Sequence, residues 1–185
     1  MNICVFCSSN NLEDKYLKPA KELANMFVQS NYDMVYGGSE YGLMKVMADT
    51  MQSSGRKIIG VTVPIYADFL RQNADKKIIA KDLGERKKII LDKSDAIVVL
   101  IGGIGTIDEL FEVMELKRQG YHDKPIIVLN TDGYYDGLIM QLKRIDNEKL
   151  FKAGDNSNIK IRTLAEFIQF VDTPLEVMEI IENSR

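Results

Sequence analysis

The sequence has few of the side chains that bind metals or form disulfides. Its 185 residues contain two cysteines and a single histidine. Cys4 and Cys7 lie within one predicted strand, and no second pair of cysteines exists that could complete a zinc site. We therefore expect two reduced thiols in the core and no zinc site.

Excess positive charge and long apolar runs are missing as well. The net charge is −3, and the lysines and arginines are dispersed except around residues 86–88, which argues against general nucleic-acid binding. No apolar run approaches the roughly 20 residues that a membrane-spanning helix needs. The chain also starts directly in a predicted strand, without a basic segment or a signal-peptide cleavage site. We therefore expect a cytoplasmic protein without a membrane partner, and a small anionic ligand is compatible with this composition.

Short apolar runs alternate with segments of helical periodicity, which predicts an α/β fold with a doubly wound, Rossmann-like parallel sheet and helices on both faces. The predicted strands are residues 3–7, 34–36, 58–63, 96–101 and 126–129, with shorter pieces near 78–80 and 159–161. The predicted helices are residues 14–30, 43–54, 83–94, 106–119 and 135–145, with short terminal helices at 164–171 and 175–182. A hydrophobic content of 45% supports one sizeable core. We expect a single nucleotide-binding domain over residues 1–185, with a core of about 3–150 and a helical C-terminal extension of about 163–183.

The glycine-rich loop between the strand 96–101 and the helix that follows it is the most informative segment. Its glycines, hydroxyl and carboxylate are Gly102, Gly103, Gly105, Thr106 and Glu109. Glycines let the main chain approach a phosphate closely, and a helix N-terminus adds partial positive charge. Such turns also occur for packing alone, and acidic residues in a first turn are ordinary partners of the helix dipole. The loop alone is therefore compatible with a phosphate site or a plain turn.

Two further loops are expected at the same edge of the sheet, because ligands of open α/β sheets bind beyond the carboxyl ends of the strands. The loop that begins at Ser8 offers hydroxyls and amides, and it lacks the G-x-G-x-x-G pattern of dinucleotide-binding proteins. The loop after the second strand contains Gly37 and Gly38, followed by Gly42. Together these loops would hold a phosphate and a sugar, although a plain turn also explains the paired glycines.

The charged segment 82–88 opens the helix before strand 96–101, and a solvated helix start explains such a segment when it stands alone. Together with the glycine-rich loops, the segment favours a ligand-binding role. Arg86 and Lys87 match a Met-His-x-Arg-Lys segment, and residues 101–109 match Pro-Gly-Gly-x-Gly-Thr-x-x-Glu. Further matches are Tyr36-Gly-Gly, Gly42-Leu-Met, Gly60-Val, His122-Asp-Lys-Pro and Asn130-Thr-Asp-Gly-Tyr-Tyr. Over roughly residues 3–150 the chain thus resembles the LONELY GUY family of cytokinin-activating nucleoside 5′-monophosphate phosphoribohydrolases, often labelled lysine decarboxylases.

The resemblance implies hydrolysis of the N-glycosidic bond of a nucleotide to free base and ribose 5-phosphate, by a homodimer that needs no metal and no cofactor. Glu109 would stabilise an oxocarbenium-like ribose and orient or deprotonate water. Arg86 would hold phosphate or sugar hydroxyls, or stabilise the departing base. The implied substrate-binding residues are Ser8, Gly37, Gly38, Lys87, Gly102, Gly103, Gly105 and Thr106.

The chain departs from the family pattern at several positions. Ile101 replaces a proline, Gly84 a histidine, Ser39 and Lys45 glycines, and residues 115–119 a Thr-Trp-x-Gln-Leu segment near the base end. The preferred base therefore stays open among N6-substituted adenine, plain adenine and another base. His122 is expected to serve in capping or interhelical hydrogen bonding, and Tyr134 and Tyr135 in packing.

Two other functions follow from the same features. A non-catalytic nucleotide-binding or molybdenum-cofactor-carrier-like protein would keep glycine loops, but it has no need to keep Arg86 and Glu109 together. A pyridoxal-phosphate lysine decarboxylase is disfavoured, because Lys45, Lys87 and Lys88 lack a recognisable Schiff-base context.

Overall fold

The computed structural model describes residues 1–151 and 163–184, and these form one parallel sheet covered by helices on both faces. Its strands are β1 (Asn2–Phe6), β2 (Asp33–Tyr36), β3 (Ile58–Thr62), β4 (Lys76–Ile79), β5 (Ala96–Val99), β6 (Ile126–Leu129) and β7 (Gln169–Val171). Neighbouring strands pair in parallel in the order β4-β3-β2-β1-β5-β6-β7. The predicted α/β fold is confirmed.

The helices agree with the predicted segments to within about two residues at most ends. They are α1 (Asp14–Gln29), α2 (Gly42–Ser53), α3 (Leu83–Asp92), α4 (Ile104–Arg118), α5 (Asp136–Asn147), α6 (Leu164–Phe167) and α7 (Pro174–Asn183), with short 3-10 helices at Pro64–Phe69 and Thr131–Gly133. Among the described residues, no helix combines the length and apolar character needed to cross a membrane.

One predicted helix, residues 164–171, is wrong in its second half. The helix α6 ends at Phe167, and Gln169–Val171 forms β7 at the edge of the sheet beside β6. The apolar spacing there fits either structure, and pairing with the distant β6 decides between them. The predicted strand near 78–80 is present as β4, whereas 159–161 lies outside the described residues.

The core lies on both faces of the sheet. Ile3 and Val5 of β1 belong to the cluster that includes buried residues of α1, α2 and α7, and Cys4 and Phe6 belong to the opposite cluster with α3 and α4. Successive side chains of a strand point to opposite faces, so a strand covered on both sides must be apolar throughout. This requirement explains why the central strands read as continuous apolar runs.

The strand order reverses between β1 and β5, and this places the crevice. The chain leaves β1 towards α1 on one face and leaves β5 towards α4 on the other, which opens a gap beyond their carboxyl ends. The backbone amide of Ser8 donates to the carbonyl of Ile101 at 3.0 Å and joins the two loops at the base of this gap.

Candidate active site

An open cleft of about 570 Å³ lies beyond the carboxyl ends of β1, β2, β3 and β5. Most of the residues predicted from the sequence to form the site line it: Ser8, Gly37, Arg86, Lys87, Gly103, Gly105, Thr106 and Glu109. The fold therefore brings together segments that are up to about one hundred residues apart in the sequence.

Arg86 and Glu109 form a buried ion pair in this cleft. Arg86 Nη1 donates to Glu109 Oε1 at 2.6 Å, and Arg86 Nε donates to the carbonyl of Val61 at the end of β3 at 2.9 Å. The two side chains are only 13% and 6% exposed. The start of α3 is fixed by Asp82, whose carboxylate accepts the amide of Glu85 at 2.8 Å. Hydrogen bonds to Val61 and Glu109 thus fix the guanidinium in position without a ligand.

Burial sets the ionisation of the groups around this pair. Burial raises the pKa of Glu109, and the charge and hydrogen bond of Arg86 act against that rise. A carboxylate with a raised pKa is a better base than an ordinary glutamate. Burial also raises the pKa of Cys7, and the charge of Glu109 adds to the effect. Cys7 therefore lines the cleft as a neutral thiol, which is a poor nucleophile.

The start of α4 forms the other half of the cleft. Gly103 is the N-cap residue, and among the described residues no side chain caps the first-turn amides of this helix. A methyl group added at Gly103 or Gly105 would meet no atom of residues 1–151 or 163–184 within 4 Å, apart from its own chain neighbours and helix backbone. Free first-turn amides and the positive end of the helix dipole favour an anion at such a position. The arrangement suits a phosphate group.

Two predicted ligand residues, Gly38 and Gly102, lie behind the surface of the cleft. Gly38 has a φ of +81°, and a methyl group there would lie 2.5 Å from Leu70 Cδ1. A methyl group at Gly102 would overlap the side chain of Thr106. Close packing inside the protein thus accounts for both glycines, and a ligand contact for either stays a prediction.

Lys87 reaches the rim of the cleft but is engaged by acidic side chains of α4. Its Nζ lies 3.0 Å from Asp108 Oδ2 and 3.3 Å from Glu112 Oε2. Burial opposes the charge of Lys87, but these two carboxylates outweigh it and raise the pKa of the lysine. Lys87 is therefore a fixed cation of the rim, a role that its position in the sequence did not reveal.

An apolar wall of the cleft was missed in the sequence. It is formed by Tyr41, Met44, Tyr66, Phe69, Leu70, Leu83 and Ile104. The rings of Tyr41 and Phe69 meet edge to face with centroids 5.9 Å apart. Three of the wall residues follow β3, whose carboxyl end lies at the same edge as those of β1 and β2. Their position after a strand that ends at this edge could have predicted them from the sequence. An apolar wall suits a flat heterocyclic base.

His122 lies away from the cleft lining. Its Nε2 lies 2.9 Å from the carbonyl of Val113, and the amide of Lys124 donates to its Nδ1 at 3.2 Å. Burial lowers the pKa of His122, so the ring is neutral, and it joins Val113 within α4 to Lys124, shortly before β6. Within residues 1–151 and 163–184, no group of three or more His, Cys, Asp or Glu side chains could hold a metal ion.

Known sequences match this chain over most of its length. The profile of a family described as "Possible lysine decarboxylase" matches residues 44–180. The chain is 37% identical over 150 residues to a probable cytokinin riboside 5′-monophosphate phosphoribohydrolase of Arabidopsis thaliana, covering 80% of this chain and 75% of the relative. A probable enzyme of the same name from Oryza sativa subsp. japonica is 33% identical over 184 residues, covering 97% and 70%. A cytokinin riboside 5′-monophosphate phosphoribohydrolase of Arabidopsis thaliana is 31% identical over 177 residues, covering 89% of this chain and 81% of the relative.

Solved structures show the same fold at lower sequence identity. A molybdenum cofactor binding protein from Rippkaea orientalis superposes with a TM-score of 0.73 at 18% identity, covering 99% of this chain and 96% of that one. The molybdenum cofactor carrier protein of Chlamydomonas reinhardtii has a TM-score of 0.70 at 19% identity, covering 98% and 96%. At these identities the likeness concerns the fold alone.

Proposed function

We propose, on the premise that this chain belongs to the LONELY GUY, or lysine decarboxylase-like, family, that it hydrolyses the N-glycosidic bond of a nucleoside 5′-monophosphate. The substrate carries adenine or an N6-substituted adenine, and the products are the free base and ribose 5-phosphate. One observation carries the proposal: the buried Arg86–Glu109 pair at 2.6 Å lies in the same cleft as the open start of α4.

The proposed reaction assigns the water to Glu109. As the bond between C1′ and the base nitrogen breaks, its electron pair leaves with the base and positive charge develops on the ribose. The carboxylate of Glu109 stabilises that charge and takes a proton from the attacking water, whose oxygen forms the new bond to C1′. The proton then passes to the departing base, which balances the reaction. Arg86 keeps Glu109 ionised and fixed in position.

The two walls of the cleft give the substrate its direction. The 5′-phosphate would lie at the start of α4, where Gly103 and Gly105 leave room beside the first-turn amides. The base would lie against the apolar wall, beside the aromatic pair Tyr41 and Phe69. The ribose then spans the distance between them, which brings C1′ towards Glu109.

The decarboxylase named in the family description fits this site poorly. Pyridoxal phosphate binds its enzyme through a lysine that must become a neutral amine. Lys87 is the one lysine among the described residues of the cleft lining, and its bonds with Asp108 and Glu112 favour the charged form. Lys45 pairs with Asp49 at 2.9 Å, outside that lining. We therefore assign no step to pyridoxal phosphate.

We also propose a homodimer in the cytoplasm. Apolar side chains at the starts of α3 and α4 and along α4 are exposed: Leu83 is 51%, Ile104 83% and Phe111 41% exposed. A second copy against these side chains would remove apolar area from water and complete the cleft from outside, with the base between the two copies. Light scattering coupled to size-exclusion chromatography tests this: a mass near 42 kDa, twice the 21.0 kDa of one chain, is expected, and 21.0 kDa contradicts it.

The test of the function is release of free base, measured by chromatography after incubation with AMP, isopentenyl-AMP, GMP, CMP and UMP. We expect release from the adenine nucleotides, and loss of about 10³-fold in turnover for Glu109→Gln with AMP binding retained. Glu22→Gln on the exposed side of α1 is the control and should keep full turnover.

Two outcomes contradict the proposal. Normal turnover by Glu109→Gln would remove the assigned base. Binding of nucleotides without any base release would favour a carrier or sensor function instead. The molybdenum cofactor carriers have the same fold, so the fold is compatible with that function.

A further inference from the structure

Three successive carbonyl groups at the end of β5 accept hydrogen bonds from outside their own segment. The hydroxyl of Tyr135 donates to the carbonyl of Leu100 at 2.8 Å, and the amide of Ser8 donates to that of Ile101 at 3.0 Å. The hydroxyl of Tyr134 donates to the carbonyl of Gly102 at 2.8 Å. The loop that precedes α4 is therefore held by hydrogen bonds at three successive peptide groups.

The last of these bonds acts on the cleft through the planarity of the peptide. The carbonyl of Gly102 and the amide of Gly103 belong to one planar trans unit, in which C=O and N–H point in opposite directions. Holding the carbonyl towards Tyr134 therefore turns the Gly103 amide away from that ring. Gly103 itself lines the cleft. A carbonyl that accepts a hydrogen bond also polarises its peptide, which makes the amide a better donor.

Gly102 and Gly103 differ in their position relative to the cleft. Gly103 is exposed and lines the cleft. Gly102 is buried and absent from the cleft lining. The Gly103 amide is thus the first of the loop on the side of the cleft.

Packing holds the two tyrosines in place. The side-chain oxygen of Asn130 accepts the amide of Tyr135 at 2.7 Å, and its nitrogen donates to Asp136 at 2.9 Å. The rings of Tyr134 and Tyr135 meet at right angles with centroids 4.9 Å apart, and Tyr16 of α1 packs on the other side of Tyr134 at 6.4 Å. These contacts keep the Tyr134 hydroxyl beneath the loop although its residue is 44% exposed.

We infer that Tyr134 is a positioning residue for phosphate recognition, because its hydroxyl aims the Gly103 amide at the 5′-phosphate from behind the loop. Tyr135 holds the carbonyl of Leu100, two residues before that peptide group. The inference rests on the proposed function in one respect, the location of the phosphate at the start of α4. Tyr134 touches no part of the substrate.

The test compares a ligand that has the phosphate with one that lacks it. Calorimetric affinities for AMP and adenosine are measured in Glu109→Gln protein, where turnover does not interfere, with and without Tyr134→Phe. Loss of one hydrogen bond of ordinary strength should weaken AMP binding about fivefold and leave adenosine binding unchanged. In protein with Glu109 present, the KM for AMP should rise about fivefold while kcat changes by less than about twofold.

The outcomes separate the inference from the proposed function. Equal weakening of AMP and adenosine indicates a general structural role and overturns the inference, as does unchanged AMP affinity. If the protein without Tyr134→Phe does not prefer AMP to adenosine, the inference and the proposed function are both wrong. If no base is released but Tyr134→Phe weakens AMP binding alone, only the hydrolase proposal is wrong. Tyr121→Phe, on a side chain 78% exposed and away from the loop, is the matched control and should leave both affinities unchanged.

Discussion

The turns after β2 and after β5 are both rich in glycine, but the space around their glycines differs. After β2, a methyl group at Gly37 would lie 2.5 Å from Arg86 Nη2, and one at Gly42 would overlap the backbone oxygen of Asn10. After β5, methyl groups at Gly103 and Gly105 would meet nothing within 4 Å in the part of the chain that the structure describes. The first turn is crowded by the protein itself. The second is crowded at Gly102, by the side chain of Thr106, and open at the two positions that line the cleft, Gly103 and Gly105.

The difference separates two reasons for which a sequence keeps glycine. At Gly42 the backbone has a φ of +58° and the β1 loop passes against it, so the fold itself demands a residue without a side chain. At Gly103 and Gly105 no atom of the described residues makes that demand. Space next to free helix amides is instead what an incoming phosphate needs. Substitution by alanine should therefore lower stability at Gly42, displace Arg86 at Gly37, and weaken ligand binding at Gly103 and Gly105.

The largest effect is expected for Gly42→Ala. Left-handed backbone strain and the overlap with Asn10 should together lower the free energy of unfolding by about 3 kcal/mol or more. Urea denaturation followed by circular dichroism measures it. Gly55→Ala is the matched control, because Gly55 has a φ of +75° but no atom within 4 Å, and strain alone should cost about 1 kcal/mol. Equal losses in the two variants would show that crowding at Gly42 is unimportant.

Gly37→Ala should come next, and its effect should fall on catalysis. The added methyl group displaces the Arg86 guanidinium from its place between Val61 and Glu109, so kcat/KM should fall about thirtyfold. Burial already raises the pKa of Glu109, and weaker contact with Arg86 removes part of what opposes that rise.

The same variant has a definite signature in the pH dependence of kcat/KM. The carboxylate is the active form, so activity is lost as the pH falls through the pKa of Glu109, above the ordinary range of a glutamate. In Gly37→Ala this acidic limb should move to higher pH, whereas Gly103→Ala should leave it in place. A thirtyfold loss with an unmoved limb would indicate a defect that does not pass through Arg86.

Gly103→Ala should weaken AMP binding about tenfold with less than about 0.5 kcal/mol change in the free energy of unfolding. The backbone at Gly103 is extended, with a φ of −89°, so alanine fits without strain and its methyl group projects into the open space of the cleft. Calorimetry with AMP and urea denaturation measure the two quantities. Unchanged AMP affinity would mean that the open space is not the phosphate position.

The sequence predicted the sheet well for a physical reason. Central strands of a parallel sheet are covered on both faces, so their apolar runs, as in β5 and β6, stand out against helical periodicity. The strand β7 was not predicted because it is short and lies at the edge of the sheet, where its three residues pair with β6 mainly through their backbones. Local pattern carries little information about such a segment.

The candidate site was predicted less completely, since its details depend on distant neighbours. Arg86 and Glu109 were identified through their motifs, yet the crowding of Gly37 by Arg86 joins positions 49 residues apart. The sequence also assigned Tyr134 to packing, and its bond to the Gly102 carbonyl became visible only once the loop after β6 lay beneath the loop after β5. Motifs identify residue types, whereas three-dimensional contacts distinguish a ligand residue from its support.

The smallest effect, and the one with opposite signs in its two readouts, is expected for Gly105→Ala. Gly105 lies in the first turn of α4, where alanine has the higher helix propensity, so the free energy of unfolding should rise by about 0.5 kcal/mol. The methyl group would occupy part of the open space beside the first-turn amides, so AMP affinity should fall about threefold. A more stable protein that binds AMP less well would show that this glycine is kept for the ligand, because folding alone favours its replacement. A gain in stability with unchanged affinity would instead confine the phosphate to the amide of Gly103 and its immediate neighbours.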